Sequence, residues 1–274
     1  MGSMVSIRPA TGTDYPHFVR LFRELVVDDP VPSQLDWDAH LCGATIFAES
    51  EGVPVGYGFC EIFKNVGYVR HLVVDGAQRR KGIGRHLMQT MAAGLHAAGC
   101  ERWRLNVRME NVAACRLYES LGLAPVYRTT ALSIPWDRVT ALPTPEQTMQ
   151  VQSIEPADDD VLETRFDLAP RQLSALRARG GLVLLRIGEP AAPAARALGV
   201  ASFSPSFPGA SPFKVSDSKV TRSLLEAIHP HARPADREVR LVIEGDAATR
   251  ALLIGAGATV RAELFHYRGT VPAQ

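Results

Sequence analysis

Cysteine is scarce and scattered in this chain of 274 residues: Cys42, Cys60, Cys100 and Cys115 form no C-x-x-C pair. That spacing argues against a zinc site and against a disulfide framework, and it fits reduced thiols in a cytosol. An excess of one charge is missing too, with 30 basic against 29 acidic residues. Such balance gives no general attraction to nucleic acid or to anionic membranes, which leaves small molecules as the expected partners. No apolar run approaches the roughly 20 residues that span a bilayer, and the first residues lack the charged and apolar blocks of a signal peptide. The expectation is therefore a cytoplasmic protein. Met1-Gly2-Ser3-Met4-Val5-Ser6 has the form of a myristoylation pattern, but Gly-Ser ahead of a second methionine reads as an expression remnant. His86, His96 and His229-Pro230-His231 have no companion Cys/Asp cluster, so no metal is expected.

What is present is an ordinary globular composition, 46% hydrophobic and 22% charged, at a length that suits two domains. From Ser6 the pattern reads strand, a helix over about Asp14 to Val27, a Pro/Asp-rich stretch, and strands near Ala44 to Glu49, Val55 to Phe63 and Tyr68 to Val74. A helix over about Gly82 to Ala98 follows, because Ile83, Leu87, Met88, Met91 and Leu95 recur at helical spacing and Gly99 stops it. Strand Arg102 to Val107, a short helix Val112 to Leu121 and strand Val126 to Ile134 complete the first half. The Pro-containing stretch Leu142 to Met149 reads as a linker, so the expected division is 1–137, a linker 138–150, and 151–274.

The second half repeats that order, with strands Leu182 to Ile187 and Leu198 to Phe203, helix Lys219 to Ile228, strand Val239 to Glu244, helix Ala247 to Ile254 and strand Thr259 to Tyr267. Trp103-Arg104-Leu105 lies against Val239-Arg240-Leu241, Asn111-Val112-Ala113 against Asp246-Ala247-Ala248, and Gly122 against Gly257. Duplication followed by divergence accounts for this most simply.

The run from Leu72 to Leu87 passes from a strand to a helix through the basic, glycine-containing loop Arg79-Arg80-Lys81-Gly82-Ile83-Gly84-Arg85. Glycine lets backbone approach an anion closely, the unpaired N–H groups of a helix start point at it, and the helix dipole adds positive charge. The loop reads as a diphosphate cradle. It resembles the acyl-CoA signature [QR]-x-x-G-x-[GA] of the GNAT superfamily of N-acetyltransferases, and Asn111-Val112-Ala113-Ala114-Cys115-Arg116-Leu117-Tyr118 is similar to that family's segment N-x-x-A-x-x-[LF]-Y. The resemblance covers about residues 5 to 135 and reaches the second half only through the repeat.

The resemblance implies an α/β fold with a mixed, mostly antiparallel central sheet flanked by helices, in two tandem domains, and transfer of an acetyl group from acetyl-CoA to a primary amine by direct attack. It implies that the backbone of Leu72, Val73 and Val74 pairs with the pantetheine arm, that Arg79 to Arg85 hold the diphosphate, and that Asn111 helps hold the arm. Tyr118 would stand near the thioester sulfur as hydrogen-bond donor or general acid; full proton transfer from a phenol to a thiolate is uphill by roughly 2 kcal/mol, so donation is the expected role. Many relatives carry an acidic residue on the strand before the loop, where this chain has Tyr68-Val69-Arg70-His71. His71 and Glu61 are the candidates for general base, although strict alternation puts Tyr68, Arg70 and Leu72 on one face and His71 on the other.

An acceptor site is expected around Val26-Val27-Asp28-Asp29-Pro30 and Asp36-Trp37-Asp38, whose four aspartates would favour a cationic amine. Ser204 to Phe213 reads as a long aromatic loop that would act as a lid or as packing between domains. In the second half Leu253 takes the place of Tyr118, and Lys219-Val220-Thr221 that of Gly82-Ile83-Gly84, so that half is expected to shape the first rather than bind CoA. A rival expectation is a non-catalytic acyl-CoA sensor. The chain is expected to be a monomer or a dimer.

Overall fold

A computed structural model describes residues 5–25 and 30–273. Met1 to Met4 of the myristoylation-like opening, and Val26, Val27, Asp28 and Asp29 of the expected acceptor loop, lie outside the described residues. The chain forms two compact units that interleave along the sequence. The first draws on the chain up to Asn106, on Arg116–Ala124 and on the stretch from Arg268; the second comprises Val107–Cys115 and Pro125–Tyr267.

The first unit is built on strands β1 (Val5–Pro9), β2 (Thr45–Ser50), β3 (Val53–Phe63), β4 (Val66–Val74) and β5 (Arg102–Arg108), ordered as they occur in the chain. The first three pairings are antiparallel and β4 with β5 is parallel. Helix α1 (Tyr15–Phe22) starts with Pro16 in its first turn and buries Phe18, Leu21 and Phe22 on one side of the sheet. A short helix α2 (Gln34–Asp36) widens into the π-helical turn Trp37–Leu41, which adds Trp37 and Leu41 to the same core as Phe47, Tyr57, Phe59 and Val73. The apolar stripe of α3 (Ile83–Ala97) covers the other side, as its periodicity requires. It sits close because glycines face it: a Cβ at Gly58 would meet Met91 at 2.7 Å, and one at Gly67 would meet Leu95 at 2.5 Å. Left-handed Gly99 ends α3, with Cys100 N–H donating back to the Leu95 carbonyl at 2.9 Å. Helix α4 (Val112–Glu119) follows β5.

The second unit contains β6 (Ala124–Pro135), β7 (Gln150–Ser153), β8 (Val183–Gly188), β9 (Gly199–Ser204), β10 (Gly209–Val215), β11 (Glu238–Glu244) and most of β12 (Thr259–Thr270). Their order is β12-β6-β11-β10-β9-β8-β7; from β6 to β7 the pairings are antiparallel except for β10 with β11. Helices α5 (Asp159–Arg165), α6 (Gln172–Ala178), α7 (Thr221–Ile228) and α8 (Ala247–Gly255) complete it. Leu132 and Ile134 of β6 are buried with Val239, Leu241 and Ile243 of β11 and with Leu224, Leu225 and Ile228 of α7. The 138–150 stretch read as a linker begins within a 3-10 helix, Trp136–Ala141, and ends where β7 starts. The long loop expected over Ser204 to Phe213 is corrected: its second half, from Gly209, is β10, with Ala210 and Phe213 buried, and a register shift between them absorbs Ser211 and Pro212. That bulge breaks the period-two pattern and hides the strand.

Candidate active site

The β4/β5 ladder runs from Val66↔Arg102 to Val69↔Leu105 and stops, while β4 continues to Val74. The divergence starts at a β-bulge. On β3, Phe59 and Cys60 are adjacent, but their partners on β4 are His71 and Val69, so Arg70 is the extra residue. A parallel strand that leaves its neighbour exposes backbone donors and acceptors along one edge, here beside Leu72, Val73 and Val74.

The bulge also corrects the expected faces. Gly67 faces Leu95 of α3, and beyond the bulge Leu72 and Val74 pack on Ile83 and Leu87 of α3. His71 and Val73 pack toward α1, His71 edge-on to Phe22 with ring centroids 5.6 Å apart. Tyr68 alternates with Gly67 and so lies on the side away from α3, as does His71. Strict alternation fails because one residue has been inserted.

From Val74 the chain makes an Asx turn, with Asp75 accepting from Ala77 N–H at 3.1 Å, and enters the basic loop. Arg80 (φ 68) and Gly82 (φ 82) are both left-handed, which turns successive N–H groups inward ahead of the helix start. The first-turn amides of α3, at Ile83, Gly84 and Arg85, lack intrahelical acceptors by geometry. A Cβ at Gly82 would have nothing within 4 Å, so the space around that residue is open. Arg80, Lys81 and Arg85 are exposed around it; Lys81 bonds Gln78 at 2.8 Å and Arg85 bonds Ser120 Oγ at 2.8 Å. Arg79 turns away, donating to the Val74 carbonyl at 3.0 Å and pairing with Glu24 at 2.7 Å. These residues fit a diphosphate: an amide-lined turn, open space and three surface cations.

The second half of α4 meets this loop. Leu117 lies 3.5 Å from where a Cβ of Gly84 would be, and Tyr118, 6% exposed, is next to it in the last turn. Asn111 belongs to the second unit and acts locally, since its Oδ1 accepts from Ala114 N–H at 3.2 Å and caps α4, leaving the side-chain NH2 to act as a donor.

Neither candidate base is a ready one. His71 Nδ1 is 3.1 Å from the Tyr57 hydroxyl, with Phe22 and Phe59 against the ring. Burial, reinforced by the charge of Arg70, pulls its pKa down to about 4. Glu61 is ion-paired with Arg70. Of the expected acceptor loop, Asp36 accepts from the backbone and hydroxyl of Ser33 as a capping box, and Asp38 accepts from Gln34 at 3.0 Å. Both act locally. Among the described residues no group of three or more His, Cys, Asp or Glu is placed to hold a metal, and no helix is long and apolar enough to cross a membrane.

The second unit carries the same plan in reduced form. Its parallel ladder is Gly209↔Arg240 and Ala210↔Leu241, followed by a bulge between Ala210 and Phe213, as the first unit has one between Val69 and His71. Asp217 accepts from Lys219 N–H as Asp75 does from Ala77 N–H. The difference comes next: α3 begins at Ile83 after the Arg79–Gly82 loop, whereas α7 begins at Thr221 after the single turn Ser218–Val220. The expectation that bulky residues replace the glycines is thus corrected, because the loop itself is missing. Lys214 and Glu244 form an ion pair of 2.7 Å where β10 leaves β11.

Residues 14–123 match the Acetyltransferase (GNAT) family. A 56-residue stretch is 39% identical to N-alpha-acetyltransferase 30 of Xenopus laevis, spanning 20% of this chain and a fifth of the length of that relative. Solved structures share the fold along the whole chain. One from Pyrococcus horikoshii has a TM-score of 0.70 at 17% identity over 98% of this chain and 90% of its own. The GCN5-related N-acetyltransferase of Sphaerobacter thermophilus has 0.68 at 18% over 98% and 96%. A tandem GNAT protein from the clavulanic acid biosynthesis pathway has 0.65 at 16% over 99% and 100%. Residues 14–123 thus carry a domain similar to the Acetyltransferase (GNAT) family, and the chain as a whole shares the fold of these two-domain structures.

Sequence reasoning missed the bulge, and with it Arg70 and Tyr57 as groups that surround the fork. A bulge is set by pairing with β3, so nothing local in Tyr68-Val69-Arg70-His71 announces it.

Proposed function

We propose that the first unit transfers an acetyl group from acetyl-CoA to a primary amine by direct attack of the neutral amine. One observation carries this reading: β4 leaves β5 after Val69 and leads, through an open basic loop with two left-handed residues, into the unpaired amides of α3. In it, the backbone of Leu72 to Val74 orients the acyl arm, and Arg80, Lys81, Arg85 and the amides of Ile83 and Gly84 hold the diphosphate. Acetyl-CoA supplies an activated thioester carbonyl. A backbone N–H on the diverging part of β4 steadies the developing oxyanion, and Tyr118 donates a hydrogen bond to the leaving sulfur. The amine loses its proton to solvent or through water to Glu61, since His71 is too weak a base to drive that step. The second unit is architectural. Free thiols, two of them buried, suit a cytoplasmic monomer or dimer.

The test is thiol release from acetyl-CoA with a panel of amines, set beside calorimetric CoA binding and a Tyr118→Phe variant. Amine-dependent release that drops roughly 100-fold in kcat in the variant, with CoA binding kept, is the expected result. Tight CoA binding without turnover by any amine supports the sensor reading, which the tied-up state of Glu61 and His71 favours. No CoA binding overturns both.

A further inference from the structure

The Arg70 guanidinium lies over the Tyr68 ring, 3.8 Å from its centroid, and its Nε donates to Glu61. Tyr68 is itself fixed: Asn106 Nδ2 donates to its hydroxyl at 3.0 Å, and the Arg104 guanidinium lies 5.3 Å from the ring centroid. Stacking sets the plane of the Arg70 guanidinium and the bond to Glu61 sets its rotation. Its two Nη groups hydrogen-bond to none of the described residues, and the side chain is 32% exposed, so a ligand can reach them. An arginine that served only to neutralise Glu61 would present its two-pronged edge to that carboxylate. Here Nε alone does so, and the edge that pairs in parallel with a carboxylate is left over.

Position gives that edge a purpose. Residue 70 is the inserted residue just past the last β4/β5 pair, at the fork where the thioester carbonyl is proposed to lie, on the sheet side away from α3. An amine that attacks there brings its substituents against Arg70. Of the acidic residues expected to favour a polycation, Asp36 and Asp38 are bound to Ser33 and Gln34.

We propose that Arg70 selects the acceptor, and that the accepted amine carries a carboxylate close to its nitrogen, as a small amino acid does; polyamines and aminoglycosides are excluded by charge. The inference rests on the transferase reading above. Glu61 and Tyr68 are positioning residues for the Arg70 fork.

The experiment uses the full chain, acetyl-CoA and matched acceptors: glycine against glycinamide, and β-alanine against 3-aminopropanamide, each rate referred to the neutral amine present. The acids should exceed their amides by at least about tenfold in kcat/KM. Arg70→Gln should shrink that ratio to within about threefold, mainly through acceptor KM, with the KM for acetyl-CoA within about twofold of the original. Arg70→Lys, a charge without the fork, should fall between. Equal use of acid and amide by the unaltered protein overturns the inference and leaves the transferase reading standing; so does an equal loss for both in Arg70→Gln. Should Arg70→Gln fail to fold in a thermal melt, the matched pairs on the unaltered protein decide alone. Absence of thiol release with any amine overturns the transferase reading and this inference with it.

Discussion

Asn111 and Asp246 do the same work in the two halves of the chain: Asn111 Oδ1 caps α4 by accepting from Ala114 N–H at 3.2 Å, and Asp246 Oδ1 caps α8 by accepting from Thr249 N–H at 2.9 Å. The agreement continues downstream. The carbonyl of Tyr118 accepts from Leu123 N–H at 3.1 Å and that of Leu253 from Ala258 N–H at 3.0 Å, with Gly122 (φ 83) and Gly257 (φ 102) left-handed at matching places. Caps, bulges, Asx turns and parallel ladders in the same order support one ancestral unit used twice.

The copies diverge where a ligand would sit. Without the Arg79–Gly82 loop, and with the amides of Lys219, Val220 and Thr221 already bonded to Asp217 and Ser218, the second unit lacks the turn that would offer amides to a diphosphate. The full chain should therefore bind one CoA, not two, in calorimetry. A stoichiometry near two would overturn the architectural role given to the second unit.

Gly82 and Gly84 should behave differently although both stand in the signature. Gly82 has φ 82, where an L side chain is strained by about 1–2 kcal/mol, and it has open space around it. Gly84 lies in the helix, and its Cβ would make only an ordinary 3.5 Å contact with Leu117. Gly82→Ala is expected to lower stability by about 1 kcal/mol and to weaken CoA binding at least tenfold by reorienting the loop amides. Gly84→Ala should leave stability within about 0.5 kcal/mol. Chemical denaturation and calorimetry on both variants check this; equal effects at the two positions would show that the left-handed turn is not what the loop needs.

Much of this architecture is legible in the sequence, for reasons that are local. Helix α3 follows from the spacing of Ile83, Leu87, Met88, Met91 and Leu95 and from Gly99; the cradle follows from glycines set among cations at a strand-to-helix turn. What escaped notice depends on partners distant in the chain. Strand β10 is concealed by its own bulge at Ser211 and Pro212, and the orientation of His71 by the bulge at Arg70, both fixed by register with a neighbouring strand. The short α2 and its π-helical turn are held by Trp37 in the α1 core, a tertiary contact that no periodicity shows. The capping roles of Asn111 and Asp36 depend on which bond each side chain makes, and residue type leaves that open.

His71 makes stability depend on pH in a definite window. Its pKa is about 4 in the folded chain against 6.5 for the free side chain, because burial penalises the charged ring and Arg70 repels it. Between these values the unfolded chain binds a proton that the folded chain does not, so folding stability falls as pH drops from 6.5 toward 4 and is unaffected by this group above 6.5. The loss amounts to at most about 3.5 kcal/mol at about 1.4 kcal/mol per pH unit. His71→Phe, which keeps an aromatic ring but cannot be protonated, should flatten the curve of denaturation free energy across that window. It should also lower stability at neutral pH, by stranding the buried Tyr57 hydroxyl. A wild-type curve with no steeper slope than the variant's between pH 4 and 6.5 would show that His71 is already solvated.

The sequence copies and the compact units do not share boundaries, and this has a consequence for cutting the chain. We take 1–137 and 151–274 as the two copies joined by 138–150. Yet β6, which closes the first copy in order, forms its ladder with β11, seven pairs from Glu238↔Pro135 to Glu244↔Thr129, and the stretch from Arg268 is counted with the first unit. Residues 1–137 alone would carry Leu132 and Ile134, now 1% and 0% exposed, on a strand without its β11 neighbour. A strand with an apolar face and an unpaired edge pairs with other chains. Expressed separately, 1–137 and 138–274 should each aggregate or melt without a cooperative transition, and co-expression should recover a soluble pair that elutes together in size-exclusion chromatography. A monodisperse, cooperatively melting 1–137 would mean that the first copy closes on itself and that the exchange of strand ends is dispensable.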